Sequence, residues 1–208
     1  GQVHVVNDGD SIQAAVEAAQ PGDTIQVMPG TYSETVYIDK DDIHLLGVIQ
    51  GGARATMDGL GKLNDAILYS GNNIVIENFR ITKYKGNGIM GQAGNNFEIR
   101  NNVIVDTGIY GIFPQLGTNG LVEHNVVSGI EDAAIYIGMS DNIHDSQAVA
   151  FHPRHAGFAA HASGTVDAQD HIHGQPMLRV DRDGPDQSTD FVHFFFPIDF
   201  AFAIFAFS

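Results

Sequence analysis

The chain's 208 residues carry 25 Asp and Glu against 10 Lys and Arg, a formal net charge of −15. That balance argues against a nucleic-acid partner, because phosphate binding needs a basic surface. It contains no Cys, so it has no disulfide framework and no thiol chemistry. It also has no run of roughly 18 apolar residues to span a membrane as a helix.

An apolar share of 43% permits one packed core. The first residue is Gly1 rather than Met, which suggests a processed or trimmed start, with a removed leader as one explanation. Val3, Val5 and Val6 read as a short strand. Asp10-Ser11-Ile12-Gln13 then opens an amphipathic helix, with Asp10 as its cap and Gln13 reaching back in a capping box. Ile12, Ala15, Val16 and Ala19 form its apolar stripe, and Pro21-Gly22 is expected to end it. Such a helix shields the end of a stack of strands from water and from edge pairing.

Ile25 and Val27, Val36 and Ile38, then Ile43 and Leu45 follow as short strands separated by turns. The stretch Pro21-Gly22-Asp23-Thr24-Ile25, with Pro29-Gly30-Thr31-Tyr32 and Ile43-His44-Leu45-Leu46-Gly47, resembles the opening of right-handed parallel β-helix proteins of the pectate-lyase-like superfamily. The resemblance covers about residues 8 to 143. It implies a protein that acts on or binds polysaccharides and works in an extracellular or periplasmic location. It is specific for fold and weak for activity, since one fold hosts many chemistries.

From Gly71 the sequence repeats every 23 residues without gaps. Gly71-Asn72-Asn73 aligns with Gly94-Asn95-Asn96 and Gly117-Thr118-Asn119, and Ile76 with Ile99 and Val122. Ile81 aligns with Ile104 and Val127, and Ile89 with Ile112 and Ile135. Short β-branched runs between Asn and Gly turns at this period predict an all-β solenoid, a parallel β-helix in which each repeat is one coil, and the resemblance implies that it is a right-handed parallel β-helix. Alternation points Ile74, Ile76, Ile81 and Ile89 inward. Asn102 and Asn125 are expected to stack as an amide ladder at one turn, and Glu77, Arg100 and Glu123 as a charge ladder outside. His124 aligns with Asn78 and Asn101 and reads as a polar turn residue.

Met90, Phe113 and Tyr136 each follow an inward Ile, so parity places them outside in one column. Stacked apolar side chains on an outer face offer a platform for sugar rings; the alternative is a patch covered by a loop, by the tail or by a partner. Lys83, Tyr84 and Lys85 share a repeat with Met90, Asp106 and Tyr110 share the next, and Glu131 and Asp132 the third, lining a shallow groove of both charge signs. Candidate catalytic residues are therefore Tyr110, Asp106 and Lys83. Candidate substrate-binding residues are Met90, Phe113, Tyr136, Lys85 and Asp132.

Tyr110-Gly111-Ile112-Phe113-Pro114-Gln115 also resembles the Tyr-Gly-x-Asp-Pro-His motif of mannuronate epimerases, in which Tyr and His handle the sugar C5 proton. Here Phe113 and Gln115 stand at the Asp and His positions, and neither side chain can act as an acid or base. The match implies kinship and argues against that chemistry. No metal motif occurs in the coils, so no cofactor is expected; calcium stays open, but nothing in the sequence indicates it. An acidic polysaccharide partner would need local Lys or Arg or a bridging cation.

The inward pattern ends after Ile143: Asp145 follows Val122 in the core column, and Ala148 follows Asn125 in the amide column. Composition shifts there too, with every Asn at or before Asn142 and most His and Phe after it. The expected organisation is a strand and cap helix over 1–23, a β-helix over 24–143 and a tail over 144–208. Three readings of the tail stay open. It is a module docked on the open end of the helix, a metal-binding appendage built on His152, His155, Asp170, His171 and His173, or the product of a shifted reading frame. The Phe-rich end would favour aggregation if exposed. Two functions follow: a secreted polysaccharide-processing protein of lyase or epimerase type, weak or inactive in this chain, or a non-catalytic glycan-binding or scaffold β-helix.

Overall fold

The computed structural model describes residues 1–151, 159–166, 177–180 and 190–193. Its strands stack in parallel around three faces to make a right-handed β-helix of about 6 turns. The first face holds Val3–Val6, Thr24–Val27, His44–Gly47, Val75–Glu77, Glu98–Arg100 and Thr118–Glu123 in that order, followed by Asp141–Phe151. The second holds Gly30–Tyr32, Ala53–Asp58, Arg80–Thr82, Val103–Val105 and Val126–Ser128. The third holds Val36–Ile38, Ile67–Tyr69, Ile89–Gln92, Tyr110–Gln115 and Ala133–Ile135.

The predicted register holds throughout the ladders: Ile76 pairs with Ile99 and Ile99 with Val122. All three side chains are fully buried, as are Ile74, Ile81, Ile89, Ile104, Ile112 and Val127. Alternation along each strand puts these residues in a continuous interior, and stacking buries each coil's apolar edge against the next. The backbone register runs past residue 143, since Val126 pairs with Val149 and Ser128 with Phe151. An antiparallel strand, Ala159–Val166, then lies along Asp141–Phe151. The tail His residues at 152, 155, 171 and 173, Asp170 and the Phe-rich end lie outside the described residues.

The corners of the coils repeat as well. Asn78, Asn101 and His124 adopt left-handed backbone (φ 70°, 56° and 54°), as do Lys83, Asp106 and Gly129. Within one corner Asn102 accepts the Phe79 N–H at 3.0 Å, while Asn125 accepts both the N–H (3.0 Å) and the side-chain amide (3.1 Å) of Asn102. Both Asn side chains are buried, so the ladder satisfies polar atoms that water cannot reach. Outside, Arg100 binds Glu77 at 2.9 Å and Glu98 at 2.6 Å, and His44 meets the other Glu77 oxygen at 2.7 Å. These partners hold the Glu77 carboxyl below its ordinary pKa against the opposing effect of burial.

Helix α1 spans Ile12–Ala18, shorter than the Pro21-Gly22 stop predicts. Its cap is Ser11, which accepts from the Ala14 N–H at 3.1 Å, and not Asp10, whose carboxylate instead accepts from the Asn7 N–H at 2.9 Å. Gln13 does not reach back; its side-chain oxygen accepts the Tyr37 N–H at 2.7 Å. The first coil grips both ends of α1. Glu34 accepts the Ile12 and Gln13 N–H groups at 2.8 and 3.0 Å, and the Lys40 ammonium donates to the Val16, Glu17 and Ala19 carbonyls at 3.0, 2.6 and 2.8 Å. An anion at the N-terminus and a cation at the C-terminus both oppose the ends of the helix dipole. Among the described residues no helix is long and apolar enough to cross a membrane.

Candidate functional site

The outward column of the third face is longer than the sequence repeat predicts. Tyr37 pairs with Leu68, Leu68 with Met90 and Met90 with Phe113. Tyr136 continues it, its N–H bonded to the Ile112 carbonyl at 2.9 Å. Met90, Phe113 and Tyr136 are half-buried.

Three rings meet at the C-terminal end of this column. Tyr110 lies 4.8 Å from Phe113 edge-on and 5.0 Å from Tyr136 in a stacked pose, and Phe113 lies 5.1 Å from Tyr136. Tyr110 belongs to the same strand as Phe113 and reaches across to the next coil. Aromatic contacts at these separations stabilise by about 1 kcal/mol each beyond area burial. They fix a rigid apolar surface whose edges carry the two phenol hydroxyls.

Asp132 closes one side of the trio, with its carboxylate beside the Tyr110 hydroxyl. Burial, the Asp132 charge and Tyr136 push the Tyr110 phenol up to about 12. Burial also raises the Asp132 carboxyl above its ordinary value, with the Tyr110 hydroxyl opposing that shift. Tyr110 is therefore a phenol at neutral pH. It can donate a hydrogen bond or a proton and is a poor base. On the opposite side Asn87 accepts the Tyr110 N–H at 3.3 Å and donates to Asp65 at 2.8 Å and to the Met90 sulfur at 3.5 Å. Sequence reading overlooks Asn87, although an Asn between Gly86 and Gly88 one coil below Tyr110 is a recognisable turn-ladder signal.

The remaining candidates sit differently. Lys83 and Asp106 occupy the left-handed corner that precedes the third face, joined by the Lys83 N–H to the Asp106 carbonyl at 3.1 Å. The Lys83 ammonium lies 3.8 Å from the Asp58 carboxylate of the coil below. Lys85 is exposed, with its N–H held by the Leu63 carbonyl at 2.8 Å. Tyr84 does not line a groove. It is buried, with its hydroxyl donating to the Glu34 carbonyl at 2.6 Å. The left-handed Lys83 resets strand parity, which turns Tyr84 inward between two exposed lysines. The geometry thus unites Tyr110, Phe113, Tyr136 and Asp132, with Met90 adjoining. Lys83, Lys85 and Asp106 stand at the corner before it. Among the described residues no group of three or more His, Asp or Glu is placed to hold a metal ion.

The family model described as right handed beta helix region matches residues 22–149. No curated protein sequence matches the chain. Among solved structures, an alginate lyase from Paenibacillus sp. str. FPU-7 superposes with a TM-score of 0.43 at 12% identity, covering 72% of this chain and 87% of that one.

Proposed function

This chain belongs to the right-handed β-helix family, and on that premise we propose that it binds a polysaccharide on the third face, across Tyr110, Phe113 and Tyr136. The observation that carries this reading is the ring trio, half-exposed with centroids about 5 Å apart. The C–H faces of pyranose rings pack on such a surface, and a few convergent polar groups fix their orientation. Asp132 and the phenol of Tyr110 are the groups placed to hold sugar hydroxyls. Binding rather than turnover is the reading favoured, because proton abstraction next to a carboxylate needs a base. Tyr110 keeps its proton, and Phe113 and Gln115 cannot take one. An extracellular or periplasmic location accompanies this function.

Affinity electrophoresis against a panel of neutral and acidic polysaccharides tests it. Retention of the intact protein by at least one polymer, lost in Phe113→Ala with Tyr136→Ala, is the expected result. Retention unchanged in that double variant would move the site elsewhere, and retention by none would leave the scaffold function. Unsaturated product absorbing at short ultraviolet wavelength, or rapid solvent deuterium incorporation at C5 of polymannuronate, would show catalysis and overturn the binding-only reading.

A further inference from the structure

The chain has four lysines, and three of them, Lys62, Lys83 and Lys85, lie exposed on adjoining backbone at one corner of an otherwise acidic molecule. The arrangement comes from a departure from the repeat. Met57 and Ile67 pair with Ile81 and Ile89, so the connection from 57 to 67 is longer than its counterpart from 81 to 89. The next connection, from Ile104 to Ile112, returns to the shorter length. The longer one bulges outward and carries Lys62 on the bulge, exposed beside the exposed Lys83 and Lys85 of the next coil.

This loop is fastened along its length. The Gly59 N–H bonds the Thr82 carbonyl at 2.9 Å, Gly61 bonds Lys83 at 2.9 Å, Lys85 bonds Leu63 at 2.8 Å and Gly86 bonds Asn64 at 2.7 Å. Asp58 accepts the Leu60 N–H at 2.8 Å and fixes the turn. A side chain at Gly59 would strike the Tyr84 ring, so the close approach depends on its absence. The only carboxylate paired with these ammonium groups among the described residues is Asp58, at 3.8 Å from Lys83. The segment that carries Lys85 continues through Asn87, which bonds Tyr110, to Met90 on the aromatic column.

We propose that Lys62, Lys83 and Lys85 form an anion-binding subsite that holds the carboxylate or sulfate groups of an acidic glycan whose rings lie on the Tyr110–Phe113–Tyr136 surface. The placement of the glycan rests on the function proposed above; the anion subsite itself does not. The net charge of −15 repels a polyanion at long range, so the cluster acts only at contact. With Lys62 on a loop fastened to the coil that carries Lys83 and Lys85, little backbone freedom is lost when an anion is engaged, which makes the cluster a better anion holder than the same residues scattered.

The test uses the full chain and two polymer pairs that share a sugar backbone and differ in charge: polygalacturonate against its methyl ester, and dextran sulfate against dextran. Each is measured with the wild type and with Lys62→Gln, Lys83→Gln and Lys85→Gln combined, three exposed changes outside the ring trio. Wild-type retention by at least one anionic polymer is expected to weaken with added salt. The triple variant should lose about tenfold of it together with its salt dependence. Retention of the methyl ester should be the same in both proteins. A stronger effect with polygalacturonate assigns the subsite to carboxylates, and a stronger effect with dextran sulfate to sulfates. Failure of the wild type to bind either anionic polymer, or a triple variant with unchanged affinity and salt slope, overturns the subsite. Lysine-dependent binding of dextran sulfate that survives Phe113→Ala with Tyr136→Ala, with no sugar polymer retained otherwise, overturns the glycan reading and leaves the anion site standing.

Discussion

The two ends of the β-helix are built by different rules. From Gly71 onward every coil has the same length, and the same contact recurs at the same place: Asn on Asn in the corners and Ile or Val on Ile in the core. Before that point the coils are unequal. Thr24 pairs with His44, a shorter advance than the regular coil makes, while His44 pairs with Val75, a longer one. The extra residues leave as a hairpin at Ile49–Gln50 and Ala53–Arg54 and as the lysine loop. The regular coils are stabilised by repetition, many modest contacts in columns. The irregular end is stabilised by single side chains, Glu34 and Lys40 gripping α1 and Asp23 gripping His4 of the first strand, each with no copy elsewhere among the described residues.

If that contrast is right, damage to a column should spread and damage to a clamp should stay local. The largest effect is expected for Ile99→Asp, between Ile76 and Val122 in the fully buried column. An unpaired buried carboxylate costs several kcal/mol, about the whole margin of a domain, so calorimetry should find no cooperative transition. Next is Asn102→Ala, which strips the buried Phe79 N–H and the Asn125 side chain of a partner. A loss of about 2–3 kcal/mol in urea unfolding is expected, with the whole helix melting together.

Lys40→Met should cost about 1–2 kcal/mol, because the carbonyls of Val16, Glu17 and the cap residue Ala19 lose a charged donor at a helix end that water can partly reach. Hydrogen exchange should speed in α1 and stay unchanged at Ile99 and Val122; a global effect would erase the distinction between clamp and column. Acid should act on the same end. Asp23 accepts the Gln2 and Gln20 N–H groups at 2.6 and 2.8 Å and meets His4 at 2.8 Å, and these bonds hold its carboxyl well below the ordinary range. A depressed carboxyl stabilises the fold above its unfolded pKa of about 3.9, and that contribution fades as the pH falls below it. Amide protection in Val3–Val6 should therefore decline below that pH in the wild type, and Asp23→Asn should already lack it at neutral pH. Smallest of all is Glu123→Gln on the outer ladder, about 1 kcal/mol or less by thermal melting.

Sequence alone shows the regular half well and the irregular half poorly, and the reason is physical. A contact that recurs once per coil of constant length leaves a periodic trace, which is why the core columns, the Asn102–Asn125 ladder and the outward Phe113 and Tyr136 are all readable. Tyr37 and Leu68 belong to the same outer column, but unequal coils displace them from the repeat. Ser11 and Asp10 are both good caps by residue type. The choice falls to Ser11 because Asp10 turns back to Asn7 and Glu34 arrives from a distant part of the chain. Tyr84 is misread when strand parity is carried through a left-handed corner. In the candidate site the column is legible, but the Tyr110 ring contacts run diagonally between coils and leave no mark in a one-dimensional pattern.

In the core column that runs Ile74, Phe97, Gly120, Ile143, the ring of Phe97 occupies the space where a side chain on Gly120 would lie. The coils are thus keyed rather than interchangeable, each carrying an address legible only to its neighbour. Excision of the Phe97 coil would leave the backbone ladder intact while setting Ile74 against Gly120 over an unfilled space. Duplication of that coil would bring two rings into one slot. Although the chain carries the imprint of copied segments, it can no longer grow or shrink by copying; its length at this point has become part of its packing.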